Sequence, residues 1–198
     1  MSPPALLLTL AACAPPLAAR IAWSNGAPQA GRDAPVAWPD TGEDPTTPVS
    51  WTVDATDREA WVHLDLDAGE TVGAADPWDL RVRRFEVHLN GGVHGDGGVE
   101  ATFTEGLAFD EATAAPEAGW ATDAPDADED GLPEAVFDEW YDYDVETHVL
   151  TPKARTYFVR STEGDVYRLV FLSYYDDAGT PGVLHLRLGW LAAAPPTP

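Results

Sequence analysis

Short runs of alternating apolar and polar residues, separated by glycine-containing breaks, set the strongest limit on what this chain can fold into. Trp61 to Asp67 puts Val62, Leu64 and Leu66 on one face and His63, Asp65 and Asp67 on the other. Phe85, Val87 and Leu89 share a face against Arg84, Glu86 and His88. Tyr167, Leu169 and Phe171 alternate in the same way, and Leu184, Leu186, Leu188 and Trp190 oppose His185 and Arg187. Successive side chains of a strand point to opposite faces, so a period of two marks strands with one dry and one wet face. Breaks fall at Asp67 to Glu70, Asn90 to Gly98, Glu163-Gly164 and Ala178 to Gly182, where Gly and Asn-Gly suit tight connections. No window holds a helical stripe longer than two turns. The expected fold class is all-β and antiparallel, with short strands.

Composition agrees. Of the 198 residues 44% are hydrophobic, including eight Trp, six Tyr and six Phe. That is enough for the core of one domain without disulfides, and aromatics favour pleated surfaces. The formal net charge of −23 repels phosphate backbones, which argues against a nucleic-acid partner, and gives no electrostatic attraction to an anionic membrane. Cys13 is the only cysteine. It follows the apolar run Ala5 to Ala12, and Leu10-Ala11-Ala12-Cys13 reads as a lipobox. The run is too short for a bilayer core of about 30 Å, so residues 1–13 are expected to be a lipoprotein signal segment, with Cys13 lipidated. No Lys or Arg precedes Arg20, a departure from the usual positive start. Residues 14–48, rich in Pro, Ala and Gly, are expected to form a flexible stalk, residues 49–191 a β domain, and residues 192–198 a disordered tail. Anchoring by lipid would tether the protein to the cell envelope of a bacterium.

Enzyme signatures are missing: there is no G-x-S-x-G, no H-E-x-x-H, no P-loop and no Rossmann glycine pattern. No catalysis is expected. Gly91, Gly92, Gly95, Gly97 and Gly98 precede no helix and enclose Asp96, so a tight connection between strands explains them better than a phosphate cradle. Arg81, Arg83 and Arg84 form the one basic cluster and are expected to pair with nearby carboxylates. The stretch Asp126-Ala127-Asp128-Glu129-Asp130-Gly131-Leu132-Pro133-Glu134 matches the opening of an EF-hand-type loop. There, carboxylates at positions one, three and five converge on a calcium ion and the glycine at six permits the turn. Asp126, Asp128, Asp130 and Glu134 are therefore candidate Ca2+ ligands, although Phe137 occupies the twelfth position, where a bidentate Glu belongs.

Two blocks carry a family resemblance. Trp78 to Glu100 reads WDLRVRRFEVHLNGGVHGDGGVE, and Trp140 to Trp190 holds Trp-Tyr, a Tyr-Phe-Val-Arg strand, a glycine turn and a Tyr-Tyr strand end. In this order they resemble the HmuY family of bacterial surface lipoproteins, over most of residues 50–191. The resemblance implies an HmuY-like antiparallel β-sheet domain with long hairpins, haem as the captured ligand, and delivery to an outer-membrane receptor. Family members hold the iron between two axial side chains, imidazoles or thioethers, taken from the segment before the Trp-aromatic block and from residues just after it. Here residues 120–139 contain no His and no Met, and Met1 is the only methionine. His148, a few residues past the expected place, and His94, in the glycine-rich loop, are the candidate haem ligands. His63, His88 and His185 are expected to face solvent, and Tyr141, Tyr143, Tyr174 and Tyr175 to be core or rim aromatics. The alternative is an HmuY-like scaffold without haem ligation that binds calcium or a protein partner.

Overall fold

The computed structural model describes residues 47–191. Cys13, the signal segment, nearly all of the expected stalk and the tail lie outside the described residues. Among the described residues eleven strands follow one another: β1 (Val49–Asp54), β2 (Val62–Asp65), β3 (Glu70–Val72), β4 (Leu80–Arg83), β5 (Glu86–Leu89), β6 (Glu100–Glu105), β7 (Tyr141–Asp144), β8 (Val149–Pro152), β9 (Arg155–Arg160), β10 (Val166–Tyr175) and β11 (Pro181–Leu191). Two 3-10 turns, Gly92–His94 and Phe109–Glu111, are the only helical elements among the described residues. The fold is all-β and its pairings are antiparallel.

A five-stranded sheet runs β1-β11-β10-β9-β6 and a four-stranded sheet runs β3-β2-β4-β5. β7 and β8 make a separate hairpin, tied to β10 by the Leu150 amide donating to the Tyr175 hydroxyl at 2.9 Å. One apolar core joins the two larger sheets: Trp51, Tyr157, Leu169, Leu184 and Leu186 come from the first, Leu64, Leu80, Val82 and Leu89 from the second. The alternation read from the sequence thus selects the dry faces. β10 shows how the alternation is re-set mid-strand. Its pairing with β11 shifts between Phe171 and Ser173. Ser173 Oγ accepts the Tyr175 amide at 2.9 Å and donates to the Tyr175 carbonyl at 2.8 Å. This bulge turns Tyr174 inward to 3% exposure, where strict alternation from Phe171 would have placed Ser173.

Phe85 departs from expectation. Val87 and Leu89 are buried, but Phe85 is 43% exposed because it sits in the two-residue turn between β4 and β5, beside Arg84 at φ 54°. Its carbonyl is still used, accepting the Trp140 indole N–H at 2.8 Å. Trp140 is the centre of the aromatic core. It is 1% exposed, stacks on Phe171 at 4.4 Å between centroids, and touches Tyr141 and Tyr174 edge-on or tilted. Removing so large a buried ring leaves a cavity and an unpaired carbonyl. Trp140→Ala is expected to lower the unfolding free energy by about 3–5 kcal/mol, measured by urea denaturation of the full chain.

Candidate functional site: an imidazole ladder on the four-stranded sheet

Register across the smaller sheet brings together residues far apart in sequence. His63 on β2 pairs with Arg81 on β4, and Arg81 pairs with His88 on β5. All three side chains stand on the face away from Leu64, Leu80 and Leu89. That face is not open to water. Trp61 lies 4.6 Å from the His88 ring, and Trp78 meets His63 edge-on at 5.1 Å. The Arg81 guanidinium sits over the rings of Trp61 and Trp78 at 4.6 and 5.7 Å, and that of Arg83 over Trp61 at 4.4 Å. His94, from the glycine-rich loop, closes the row by stacking on His88 at 3.7 Å with the planes 2° apart. His63 and His88 are therefore half-buried members of a cluster, which corrects the expectation of solvent-facing histidines. His185 lies on the other sheet, its Nδ1 3.2 Å from the Thr52 hydroxyl.

The loop reaches the sheet because Asn90 lies beneath it. Asn90 Nδ2 donates to the Trp78 carbonyl at 2.7 Å, and its Oδ1 accepts the Gly97 amide at 3.0 Å. A Cβ on Gly95 would come within 2.0 Å of Asn90 Oδ1, so the glycines answer to close approach. Asp123, fully buried, fixes the far side. Its Oδ2 accepts the Leu89 amide at 2.9 Å and His94 Nδ1 at 2.9 Å, and its Oδ1 accepts the Val136 amide at 2.9 Å.

These partners settle where the ring hydrogens lie. Arg81 Nη2 can only donate, so at 3.3 Å it makes His88 Nδ1 an acceptor and leaves the hydrogen on Nε2. Asp123 Oδ2 accepts from His94, so a His94 hydrogen is on Nδ1, and in the neutral ring Nε2 has the lone pair. An imidazole whose other nitrogen donates to a buried carboxylate is the usual arrangement of a metal-ligating histidine. Burial, reinforced by His94, Arg81 and Arg83, holds the His88 pKa down to about 3. Burial and then Arg81 lower that of His63.

The other sequence candidates lie apart from this row. His148 is exposed at φ 59° in the turn between β7 and β8, its Nδ1 against the Tyr143 hydroxyl. Asp126, Asp128 and Asp130 are exposed, and each offers a carboxylate oxygen within 4.8 Å of the others. Amides fold inward on them: Glu129 and Gly131 donate to Asp126 at 2.7 and 2.9 Å, Asp130 to Asp128 at 3.1 Å, and Leu132 to Asp130 at 2.8 Å. Glu134 is outside that trio; its Oε1 accepts the Ala127 amide at 3.1 Å, and its backbone pairs with Ala124. Phe137, at the twelfth position, is fully buried. Of the basic cluster, Arg83 pairs with Glu86 at 2.6 Å, while Arg84 donates to the carbonyls of Thr56 and Pro181. Beside edge strand β6 a cavity of about 510 Å³ is lined by Ala101, Phe103, Ala121, Thr122, Glu134 and Val136 among others, with no His, Tyr or Met.

Because folding depresses the His88 pKa, its contribution to stability is present above pH 6.5 and is lost as pH falls towards 3. In a nitrogen-resolved NMR titration His88 is expected to stay neutral with hydrogen on Nε2 from pH 8 to pH 5, the range in which an ordinary imidazole titrates near 6.5. A midpoint near 6.5 would remove the Arg81 hydrogen bond from the account.

Neither a family model nor any curated protein matches the sequence. Solved structures do. The apo HmuY analog of Tannerella forsythia has a TM-score of 0.59 at 15% identity, covering 74% of this chain and 97% of that one. A Bacteroides vulgatus protein described as HmuY-like and heme binding has a TM-score of 0.57 at 19% identity, with 77% and 97% covered. A Bacteroides fragilis protein described as a lipoprotein has a TM-score of 0.55 at 19% identity, with 75% and 92% covered. At such identity the likeness bears on the backbone, and it is consistent across the three: this chain has an HmuY-like all-β fold.

Proposed function

We propose that this chain is a non-catalytic binding protein of the bacterial cell envelope, anchored through Cys13, that captures haem with His94 as an axial ligand and passes it to an outer-membrane receptor. The observation that carries the reading is the His94–Asp123 pair: a buried carboxylate holds Nδ1 and leaves Nε2 with a lone pair for iron. The His94 side chain is 11% exposed. Arg81, and Arg83 in its pair with Glu86, stand on the same face as the cations nearest to where haem propionates would lie. The HmuY-like neighbours, one of them described as heme binding and another as a lipoprotein, support the cargo and the location. His88 does not fit as the second axial ligand. Its ring lies parallel to His94 at 3.7 Å, which leaves no space for a ligand between the two rings, and its Nδ1 is already taken by Arg81. His148 belongs to a different hairpin.

The test is a haemin titration of the full chain followed by absorption. The wild type is expected to give a Soret band that saturates at one equivalent. His94→Ala is expected to weaken binding by about tenfold or more, and His148→Ala to leave it unchanged. A broad, unsaturating band that is the same in all three proteins would mean nonspecific haem association and would reject the reading.

A second reading rests on the converging carboxylates of Asp126, Asp128 and Asp130: the loop binds Ca2+ weakly, with Kd on the order of 0.1–1 mM as in extracellular modules. Calcium at several millimolar is expected to raise the Tm of the wild type but not of Asp126→Asn. Equal behaviour of the two proteins would dismiss the site.

A further inference from the structure

A second group of carboxylates lies at the junction of the two sheets, far from the imidazole row in sequence and built differently from the exposed loop. Asp65 and Asp67 sit at and just beyond the end of β2, and Asp79 immediately precedes β4. One carboxylate oxygen from each lies within 4.8 Å of those from the other two. Asp79 has no exposed surface. Its Oδ2 accepts the Leu66 amide and its Oδ1 the Thr162 amide, both at 2.7 Å. Leu66 lies at the end of the four-stranded sheet, and Thr162 in the turn joining β9 to β10 in the other sheet. Asp67 makes the same crossing: its Oδ1 accepts the Ser161 and Tyr167 hydroxyls, each at 2.9 Å. Asp65 Oδ1 accepts the Asp67 and Ala68 amides at 2.9 and 2.8 Å.

One atom is left over. Asp67 Oδ2 is buried and has no hydrogen-bond partner. An ionised carboxylate oxygen in that state is costly, since nothing replaces the water it has lost. No cation offsets it: none of the salt bridges among the described residues involves Asp65, Asp67 or Asp79. The other titratable groups acting on the cluster are Glu163 and Asp165 from the β9–β10 turn and Tyr167 from β10, two acids and a phenol. Burial and the neighbouring acids favour a neutral acid over a second anion, against the Ser161 and Tyr167 hydroxyls and the Leu66 and Thr162 amides, which favour the anion.

We infer that Asp67 and Asp79 share one proton, held between Asp67 Oδ2 and the neighbouring carboxylate, and that this carboxyl–carboxylate pair is a pH-sensitive clamp between the two sheets. The proton comes from water and returns to it. With it in place, the leftover oxygen becomes a donor and the two acids attract. Without it, the buried Asp79 anion and the half-buried Asp67 anion repel at the point where both sheets hang from them. Burial moves both groups in the direction this requires, with Asp79 raised to about 6 and Asp67 raised above the ordinary carboxylate range. A raised carboxyl contributes stability that is complete below about pH 3.9 and is lost as pH rises through about 6.

Asp67→Asn tests this directly. Asn keeps an oxygen where Ser161 and Tyr167 donate and puts an N–H at the Oδ2 position, supplying the hydrogen at every pH. Because folding keeps His88 neutral in a range where the unfolded imidazole takes up a proton, with the opposite effect on stability, the readout is the difference in Tm between variant and wild type. That difference is expected to grow in favour of Asp67→Asn by about 5 °C between pH 5 and pH 8. A difference that stays constant or shrinks would overturn the clamp. Should the variant fail to fold, the infrared carbonyl stretch of the wild type with isotope-labelled Asp decides. A buried protonated carboxyl present at pH 5 and gone at pH 8 is expected, and its absence at pH 5 would overturn the inference. A calcium-dependent rise in Tm that Asp67→Asn abolishes would also overturn it, by showing that a cation and not a proton fills the cluster.

Discussion

Buried carboxylates that accept backbone amides hold this molecule together at the places where strands cannot. A β-sheet satisfies its own amides by pairing, but between β6 and β7 the chain runs through some 35 residues with one 3-10 turn and two isolated bridges. Amides along such a path need acceptors if they are to be buried. Asp123 provides one: it takes the Leu89 amide at the end of β5 and the Val136 amide later in the irregular segment, and still reaches His94. Asp79 plays the matching part between the sheets. Both are fully buried, and both link residues that neither sheet register nor chain continuity would place together. An acidic chain has many carboxylates at hand. Most stay at the surface, and these two define the architecture.

The same two acids set the chemistry on either side of the smaller sheet. Asp123 orients His94, which then covers His88, and the covering strips His88 of water until its imidazole stays neutral across the physiological range. Arg81 contributes twice, as the donor that fixes the His88 hydrogen and as the cation enclosed by Trp61 and Trp78. Arg81 and Arg83 thus stand beside two imidazoles on a protein whose net charge is −23, with Glu86 paired to Arg83 and Asp123 behind His94.

Much of the fold was legible because alternation reports which side of a strand is dry. Leu64, Leu169, Leu184 and Leu186 lie in the core as their spacing required. Alternation does not report what covers the other side, and there the reading of His63 and His88 went astray. One signal was available. A two-residue turn at Arg84-Phe85 pairs Arg83 with Glu86 and therefore Arg81 with His88, so an Arg–His contact follows from the hairpin alone. The further cover from Trp61, Trp78 and His94 depends on where a glycine-rich loop folds back, which follows from Asn90 and Asp123 and has no periodic trace. The same holds for Tyr174, which a bulge turns inward against the pattern. The position of His94 within a family-like loop could be read; its carboxylate partner, 29 residues further on, could not.

Backbone likeness and ligand chemistry separate at this point. TM-scores of 0.55 to 0.59 at 15–19% identity mean that the scaffold persists while most side chains differ, and function resides in the side chains. The cavity beside β6 has the volume expected of a small-ligand site but is lined by no His, Tyr or Met. The imidazole row has the nitrogen, the carboxylate behind it and the arginines, on the outer face of the other sheet. A metal-bearing ligand is selected first by the donor atom, because coordination is directional and hydrophobic enclosure is not. The proposed haem site therefore rests on the row, and within it on His94.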